Sequence, residues 1–230
     1  MTFAVLPVLI PEIRAAYDAY FAAFVADPEC RRLLEILFPD GFGSDEFRKA
    51  HTDGTRAWWN HSETQYTFKC VDTATSEIVG MTLCDIFVKP RSGEERKNPG
   101  IGWLQGEQKE RCEKVLNPLW DTREKLWGGR QYIYVHAFAV DPKHQGRGAG
   151  AALVKALIAL SDQSNLPIYL ESSPPTEGLY AKLGFQRLKE SVIHDAAVLG
   201  TDKDVEVPLM VKLPSKAGNV SFEEWAAANP

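Results

Sequence analysis

The sequence contains no uninterrupted apolar run of about 18 residues, which is the length that a membrane-spanning helix needs. Its first residues lack a basic cluster, and Pro7 and Pro11 interrupt the short apolar stretch there, so the pattern predicts no signal peptide. We therefore expect no membrane partner and a cytoplasmic location.

Metal and nucleotide motifs are also absent. The 4 cysteines are far apart and form no C-x-x-C pair, and the histidines and cysteines show no metal-ligand spacing. No glycine-rich segment ends in Gly-Lys-Ser or Gly-Lys-Thr, which excludes a P-loop. We expect no bound metal ion, and the scattered cysteines indicate a reducing compartment.

Basic residues are fewer than a nucleic-acid-binding surface requires. The chain has 26 Lys and Arg against 31 Asp and Glu, which gives a net charge of −5. Because nucleic-acid-binding proteins concentrate positive charge, we expect no nucleic-acid partner. The acidic balance instead favours a cationic ligand such as an amine.

The patterns that are present indicate a single domain over residues 1–230 with a mixed α/β fold. The predicted strands cover about residues 1–10, 65–71, 78–88, 132–140, 167–172, 186–192 and 206–213. The predicted helices cover residues 12–25, 29–37, 45–59, 107–126 with a break near Pro118, 151–160, and a short segment from Ser221 in a C-terminal tail at about 214–230. We expect a mostly antiparallel central sheet of about seven strands with helices on both faces.

The most informative segment is a glycine-rich turn over residues 144–150. It follows a predicted strand that stops at Asp141 and Pro142, and it precedes an alanine-rich helix without interior glycine or proline. Glycines let the backbone approach a ligand, and a helix N-terminus adds uncommitted N–H donors and partial positive charge. The turn therefore predicts an anion site, most naturally for a pyrophosphate.

Three motifs occur in order over this part of the chain. They are Gln145, Gly148 and Gly150 in Gln-x-x-Gly-x-Gly; the strand at 167–172; and Tyr180, Gly184 and Phe185 in Tyr-x-x-x-Gly-Phe. Together they resemble the acetyl-CoA site of the GNAT family of N-acetyltransferases. The Asp-x-x-His-Gln-Gly-x-Gly run and the Leu-Glu-x-Ser strand are most similar to the puromycin N-acetyltransferase type.

The resemblance implies a sheet whose fourth and fifth strands splay apart, acetyl-CoA as acyl donor, and direct transfer within a ternary complex. It also implies the residues that bind the cofactor: Phe138, Ala139, Val140, Gln145, Gly146, Arg147, Gly148, Ala149, Gly150, Ser172 and Tyr180. Residues 89–130 are longer than the family's usual connection. We interpret them as a helical insertion that covers part of the acceptor pocket, packs on the sheet, or forms a dimer contact.

Three residues are candidates for catalysis. Tyr180 matches the family tyrosine whose hydroxyl approaches the CoA sulfur, and we expect it to be the general acid, although a half-buried helix aromatic is the alternative. His136 is one candidate for the base, with a hydrogen-bonded core histidine as the alternative. Glu171 is the other candidate, and it could bind a cationic amine or accept its proton through a water. The other histidines lie in the turn or in polar surroundings and receive no role.

The sequence thus predicts an acetyl-CoA-dependent N-acetyltransferase that acts on a small-molecule amine, in detoxification or resistance. The alternatives are a non-catalytic CoA-binding regulatory module and an acetyltransferase of a protein amine. The sequence leaves open whether the chain is a monomer or a homodimer.

Overall fold

The computed structural model describes residues 2–229. The strands are β1 Phe3–Pro7, β2 Gln65–Asp72, β3 Glu77–Phe87, β4 Tyr132–Val140, β5 Ile168–Glu171, β6 Gln186–His194 and β7 Val205–Lys212. The helices are α1 Ile13–Ala26, α2 Pro28–Leu37, α3 Asp45–His61, α4 Gly106–Trp127, α5 Ala149–Ser164, α6 Glu177–Lys182, α7 Ala196–Leu199 and α8 Phe222–Ala228. Short 3-10 turns, among them Pro142–His144 and Pro174–Thr176, connect some of them.

The strands of the described residues form one 7-stranded sheet in the order β1-β2-β3-β4-β5-β7-β6. The pairs β1–β2, β2–β3, β5–β7 and β7–β6 are antiparallel, whereas β4 and β5 are parallel and are connected through α5. The mixed α/β fold with a mostly antiparallel sheet is therefore confirmed. The splay between β4 and β5 stays a prediction.

Contacts within the chain divide it into two compact units, and a single domain stays a prediction. The first unit holds the residues up to Ile86 together with Val135–Leu160. Its larger hydrophobic cluster packs α1 and α2 on β3 through buried residues that include Ile13, Phe21, Leu34 and Met81. A smaller cluster packs α5 on the sheet through Cys70, Val79, Val140, Ala149 and Leu153.

Gly80 allows β3 to approach the end of β4 closely. A Cβ at this position would lie 2.6 Å from the Ala139 carbonyl oxygen, so a side chain is excluded without a shift of the backbone. The register of β2 and β3 also changes beside it, between Cys70 and Val71. A bulge and a close backbone approach, the two settings in which a strand typically carries a glycine, thus both occur here.

The second unit holds Phe87–Tyr134 and the residues from Ser161 onwards. Its core is aromatic, and the fully buried Trp127 stacks on Tyr132 at 4.3 Å between ring centroids and also contacts Tyr169 and Phe222. α8 begins next to Ser221, as expected from the sequence, and its start is a capping box in which Ser221 and Glu224 bond each other's backbone N–H groups.

The break predicted near Pro118 is wrong, because α4 runs through it without interruption. Proline removes one helical hydrogen bond, but buried side chains anchor the helix on both sides of it. Cys112 and Val115 precede the proline and Trp127 follows it, and each is at most 1% exposed. α4 is therefore anchored within its own unit by buried side chains on both sides of the proline. A role in covering the acceptor pocket stays a prediction.

Candidate active site

The glycine-rich turn begins where β4 ends, and local hydrogen bonds fix its shape. The Asp141 carboxylate accepts from the Lys143 N–H at 2.9 Å and caps the 3-10 turn Pro142–His144. The side-chain Nε2 of Gln145 donates to the Val140 carbonyl oxygen at 3.0 Å, which closes the turn onto the strand. The motif glutamine thus holds the turn in place through its side chain.

Gly146 and Gly148 adopt left-handed conformations, with φ of 71° and 95°, which only glycine takes up readily. A Cβ built at either position would meet no atom of residues 2–229 within 4 Å, so the backbone here borders open space. The first helical bond of α5 runs from the Ala152 N–H to the Gly148 carbonyl oxygen at 3.0 Å. The backbone N–H groups before that of Ala152 lie at the N-terminus of the helix, where the helix dipole has its positive end.

Arg147 ties this turn to β2 through its guanidinium. Its Nη2 lies 2.6 Å from Oδ2 of Asp72, and its Nη1 lies 2.7 Å from Nδ1 of His144. A backbone hydrogen bond from Ala74 and the bond from Arg147 hold the pKa of the Asp72 carboxyl below its ordinary value. The structure therefore gives Arg147 an anchoring contact, and its contribution to phosphate binding stays a prediction.

The end of β4 supplies the other predicted cofactor residues of this unit. Phe138 packs beside the turn, because a Cβ built on Gly150 would lie 3.7 Å from its ring. Ala139 and Val140 are buried, and their backbone lies against Gly80. The last residues of β4 therefore pack beside the first turn of α5, and the glycine-rich turn connects the two elements.

His136 pairs with a carboxylate that the sequence did not single out. Its Nε2 lies 2.6 Å from Oδ2 of Asp85 on β3, and the hydroxyl of Thr64 donates to Oδ1 of Asp85 at 2.7 Å. The side chains of His136 and Asp85 are 31% and 15% exposed, so the imidazole reaches solvent and the carboxylate is largely covered. The sequence patterns had assigned no role to Asp85.

In the second unit, Tyr180 is placed by the cap that ends α6. The Phe185 N–H donates to the Tyr180 carbonyl oxygen, and the Gly184 N–H donates to that of Ala181, while Gly184 takes a left-handed φ of 84°. This is a Schellman motif, and the rings of Tyr180 and Phe185 supply its hydrophobic contact at 5.3 Å. Tyr180 is 5% exposed, and burial raises the pKa of its hydroxyl, which keeps the group protonated at neutral pH.

Glu171 lies in a buried polar cluster at the end of β5. Its Oε1 is 3.8 Å from Nη1 of Arg123, a residue of α4 that the sequence did not suggest. The Arg123 guanidinium lies over Tyr134 at 4.0 Å from the ring centroid and over Trp120 at 4.6 Å. Burial, and after it the charge of Glu171, raises the pKa of Tyr134 well above its ordinary value. Arg123 therefore balances the carboxylate from within the same unit.

Ser172 follows directly after β5 and is 2% exposed. Its N–H donates to the Pro208 carbonyl oxygen at 2.8 Å, and its hydroxyl donates to the Ser173 carbonyl oxygen at 2.9 Å. These bonds fix the turn before α6 that carries Tyr180. A contact of Ser172 with the cofactor stays a prediction.

Each unit thus gathers part of the predicted set. His136, Phe138 and the glycine-rich turn share the first unit, whereas Glu171, Ser172 and Tyr180 share the second. Within residues 2–229, no cluster of three or more His, Cys, Asp or Glu side chains has the arrangement of a metal site. Over the same residues, no helix has the length and apolar character needed to cross a bilayer.

Comparison with known proteins places these motifs in a family. A model described as "Acetyltransferase (GNAT) family" matches residues 28–185, which include the glycine-rich turn and the Tyr-x-x-x-Gly-Phe element. A curated relative, "Probable acyltransferase SID5" from Ajellomyces capsulatus, is 31% identical over 143 residues, which are 62% of this chain and 99% of that protein.

Solved structures share the fold at lower identity. A protein from Corynebacterium glutamicum described as histone acetyltransferase HPA2 and related acetyltransferase is 22% identical, with a TM-score of 0.59 over 94% of this chain and 98% of that one. The C-terminal condensation domain of Ebony, in complex with beta-alanyl-dopamine, is 14% identical, with a TM-score of 0.65 over 93% and 99%. The ribosomal-protein-S18-alanine N-acetyltransferase from Escherichia coli is 16% identical, with a TM-score of 0.52 over 96% and 100%.

Proposed function

Because the chain belongs to the acetyltransferase (GNAT) family, we propose that this acyltransferase moves an acetyl group from acetyl-CoA to the amine of a small molecule. The observation that carries the proposal is the open glycine-rich turn at the start of α5, which lies within the matched residues. The net charge of −5 supports a cationic amine as the acceptor.

The residues of the turn fit the pyrophosphate of CoA. Its phosphates need several N–H donors at close range, and the left-handed glycines Gly146 and Gly148 leave room for that approach. When bound, acetyl-CoA supplies the acetyl group as an activated thioester. We expect the rest of the cofactor to run along residues 138–140, with a further contact at Ser172.

We assign the role of base to His136. An amine attacks a carbonyl carbon only when its nitrogen has a free lone pair, so a group near the acceptor must take up a proton. The side chain of His136 reaches solvent, and its Nε2 has the Asp85 carboxylate as a hydrogen-bond partner. Glu171 was the alternative, but Arg123 already balances its charge, which supports the histidine.

We assign the role of acid to Tyr180, whose Oη would protonate the leaving sulfur. The raised pKa of this buried hydroxyl keeps its proton in place until the C–S bond breaks. The new N–C bond forms as that bond breaks, and solvent returns the proton to Tyr180. Transfer is then direct, without an acetylated enzyme.

The likeness to the puromycin N-acetyltransferase type, a role in detoxification or resistance, a cytoplasmic location and the oligomeric state stay predictions from the sequence. The C-terminal condensation domain of Ebony and the ribosomal-protein-S18-alanine N-acetyltransferase are 14% and 16% identical to this chain, so their similarity shows a shared fold only.

A thiol-release assay tests the proposal. The purified full chain is incubated with acetyl-CoA and each member of a panel of amines, which includes aromatic amines, aliphatic polyamines, amino acids and a lysine-containing peptide. We expect thiol release above the amine-free rate with at least one small amine, and mass spectrometry should identify its acetylated product.

Two outcomes would contradict the proposal. Thiol release with the lysine-containing peptide and with no small amine would indicate that the acceptor is a protein amine. Tight binding of acetyl-CoA by calorimetry without release for any amine would favour the CoA-binding module without catalysis.

A further inference from the structure

Three side chains from separate parts of the first unit form a hydrogen-bonded chain. The Thr64 hydroxyl donates to Oδ1 of Asp85 at 2.7 Å, and Oδ2 of the same carboxylate lies 2.6 Å from Nε2 of His136. Thr64 and Asp85 are 21 residues apart in the sequence, and Asp85 and His136 are 51 residues apart, so the pairing of strands brings these groups together.

The backbone fixes Asp85 at the centre of this chain. Gln65, which follows Thr64 in the chain, pairs with Asp85 across the β2–β3 ladder. The Ile86 N–H, next to Asp85, donates to the Thr64 carbonyl oxygen at 2.8 Å. Both carboxylate oxygens of Asp85 accept hydrogen bonds, one from the threonine and one on the histidine side. The plane of the carboxylate is thereby set relative to the imidazole.

The contact with Asp85 also decides which ring nitrogen of a neutral imidazole carries the proton. An ionised carboxylate only accepts hydrogen bonds, so Nε2 of His136 must be the donor in this contact. In that tautomer the lone pair of the neutral ring is on Nδ1. Nδ1 is then the ring atom that can take up a further proton, while Nε2 keeps its hydrogen bond to the Asp85 carboxylate.

We propose that Asp85 is a positioning residue that holds neutral His136 with its proton on Nε2, so that Nδ1 takes the proton from the acceptor amine, and that Thr64 orients Asp85. The inference rests on the proposed function, because it names how the base of that reaction is prepared. The proton removed from the amine nitrogen moves to Nδ1 as the N–C bond forms, and it passes from there to solvent.

The tautomer can be measured directly by NMR on the uniformly ¹⁵N-labelled full chain, at a pH where the ring is neutral. A His136→Gln sample identifies the signals of this ring by their disappearance. We expect a protonated Nε2 and an unprotonated Nδ1 in the wild-type protein. A wild-type ring with its proton on Nδ1 would overturn the proposal, and this result requires no variant of Asp85 to fold.

Kinetics of Asp85→Asn provide the second readout. An asparagine can donate as well as accept, so the tautomers of His136 should mix, and kcat should fall by about 10²-fold while the calorimetric Kd for acetyl-CoA stays the same. Asp85→Glu should recover part of the lost kcat, since it keeps an ionised acceptor. Asp53→Asn is the matched control, because its carboxylate forms an ion pair with Lys49 at 2.9 Å within α3.

The outcomes separate this inference from the function on which it rests. Wild-type kcat in Asp85→Asn, or an unchanged tautomer in that variant, would overturn the role of Asp85 while leaving the acetyltransferase assignment intact. A wild-type protein with the expected tautomer that acetylates no amine would instead contradict the proposed function.

Discussion

At the scale of single residues, the site depends on side chains whose positions are set by the backbone around them. Tyr180 is the third-last residue of a helix whose end is fixed by Gly184 and Phe185, and its ring packs on the ring that follows the cap. The same burial that orients its ring also raises the pKa of its hydroxyl. One local motif thus sets both the position and the protonation state of the proposed acid.

Tyr180→Phe should lower kcat by about 10²-fold or more, because it removes the proton donor and keeps the aromatic packing. Kd for acetyl-CoA should remain the same by calorimetry. Tyr20→Phe is the matched control, since Tyr20 packs on Phe24 in α1 and has no role in the reaction. Undiminished turnover in Tyr180→Phe would remove this tyrosine from the mechanism.

At the scale of elements, the important unit is β4, the glycine-rich turn and α5 taken together. Gln145 ties the turn to the end of the strand, and Gly146 and Gly148 adopt the left-handed conformations that direct the chain into the helix. Gly80 in β3 complements this arrangement, because its missing side chain admits the backbone of Ala139. Side chains are thus absent where the backbone of β3 meets that of β4 and where the turn borders open space.

Gly148→Glu should weaken acetyl-CoA binding by at least about 10²-fold, because a negative side chain enters the anion site and the φ of 95° strains any residue with a Cβ. Calorimetry gives the affinity, and thermal melting confirms that the variant is folded. Gly93→Glu adds the same charge in a loop where a Cβ meets no described atom within 4 Å. Equal affinities in the two variants would place the pyrophosphate elsewhere.

At the scale of the whole molecule, the partly buried His51 links stability to pH. The polar sequence around His51 suggested an exposed ring, but the structure packs it among Tyr17, Phe21, Phe47 and Phe38 at 4.7, 5.1, 5.8 and 6.0 Å between ring centroids. Burial, together with the nearby charge of Arg48, lowers the pKa of His51 from 6.5 to about 4. Between these two pH values the His51 ring is therefore neutral in the folded protein and protonated in the unfolded chain.

The free energy of unfolding should fall as the pH drops from about 6.5 towards 4, because in that window the unfolded state binds one more proton at His51. Between pH 7 and pH 5 the contribution of this residue should be about 2 kcal/mol. Urea unfolding of the wild type and of His51→Phe at both pH values measures it. The variant should lose less stability on acidification by that amount, and identical pH dependences would refute the burial of a neutral ring.

The sequence by itself determined the elements whose signals lie within a few residues. The strand–turn–helix over β4 and α5 and the short helix from Ser221 follow from glycine positions and apolar spacing, which act locally. These local signals were sufficient for the family and for the conformation of the glycine-rich turn, because the motif is itself a local backbone conformation.

Only the tertiary structure decided the partners of the reactive groups. Asp85 meets His136 and Arg123 meets Glu171 across 51 and 48 positions of the chain, and no periodicity or short motif encodes such pairs. The continuity of α4 through Pro118 and the apolar surroundings of His51 were also decided by packing, which outweighs the local preferences of proline and of polar sequence neighbours. The sequence names candidate acids and bases, whereas the contacts between distant strands and helices decide which side chains lie next to them.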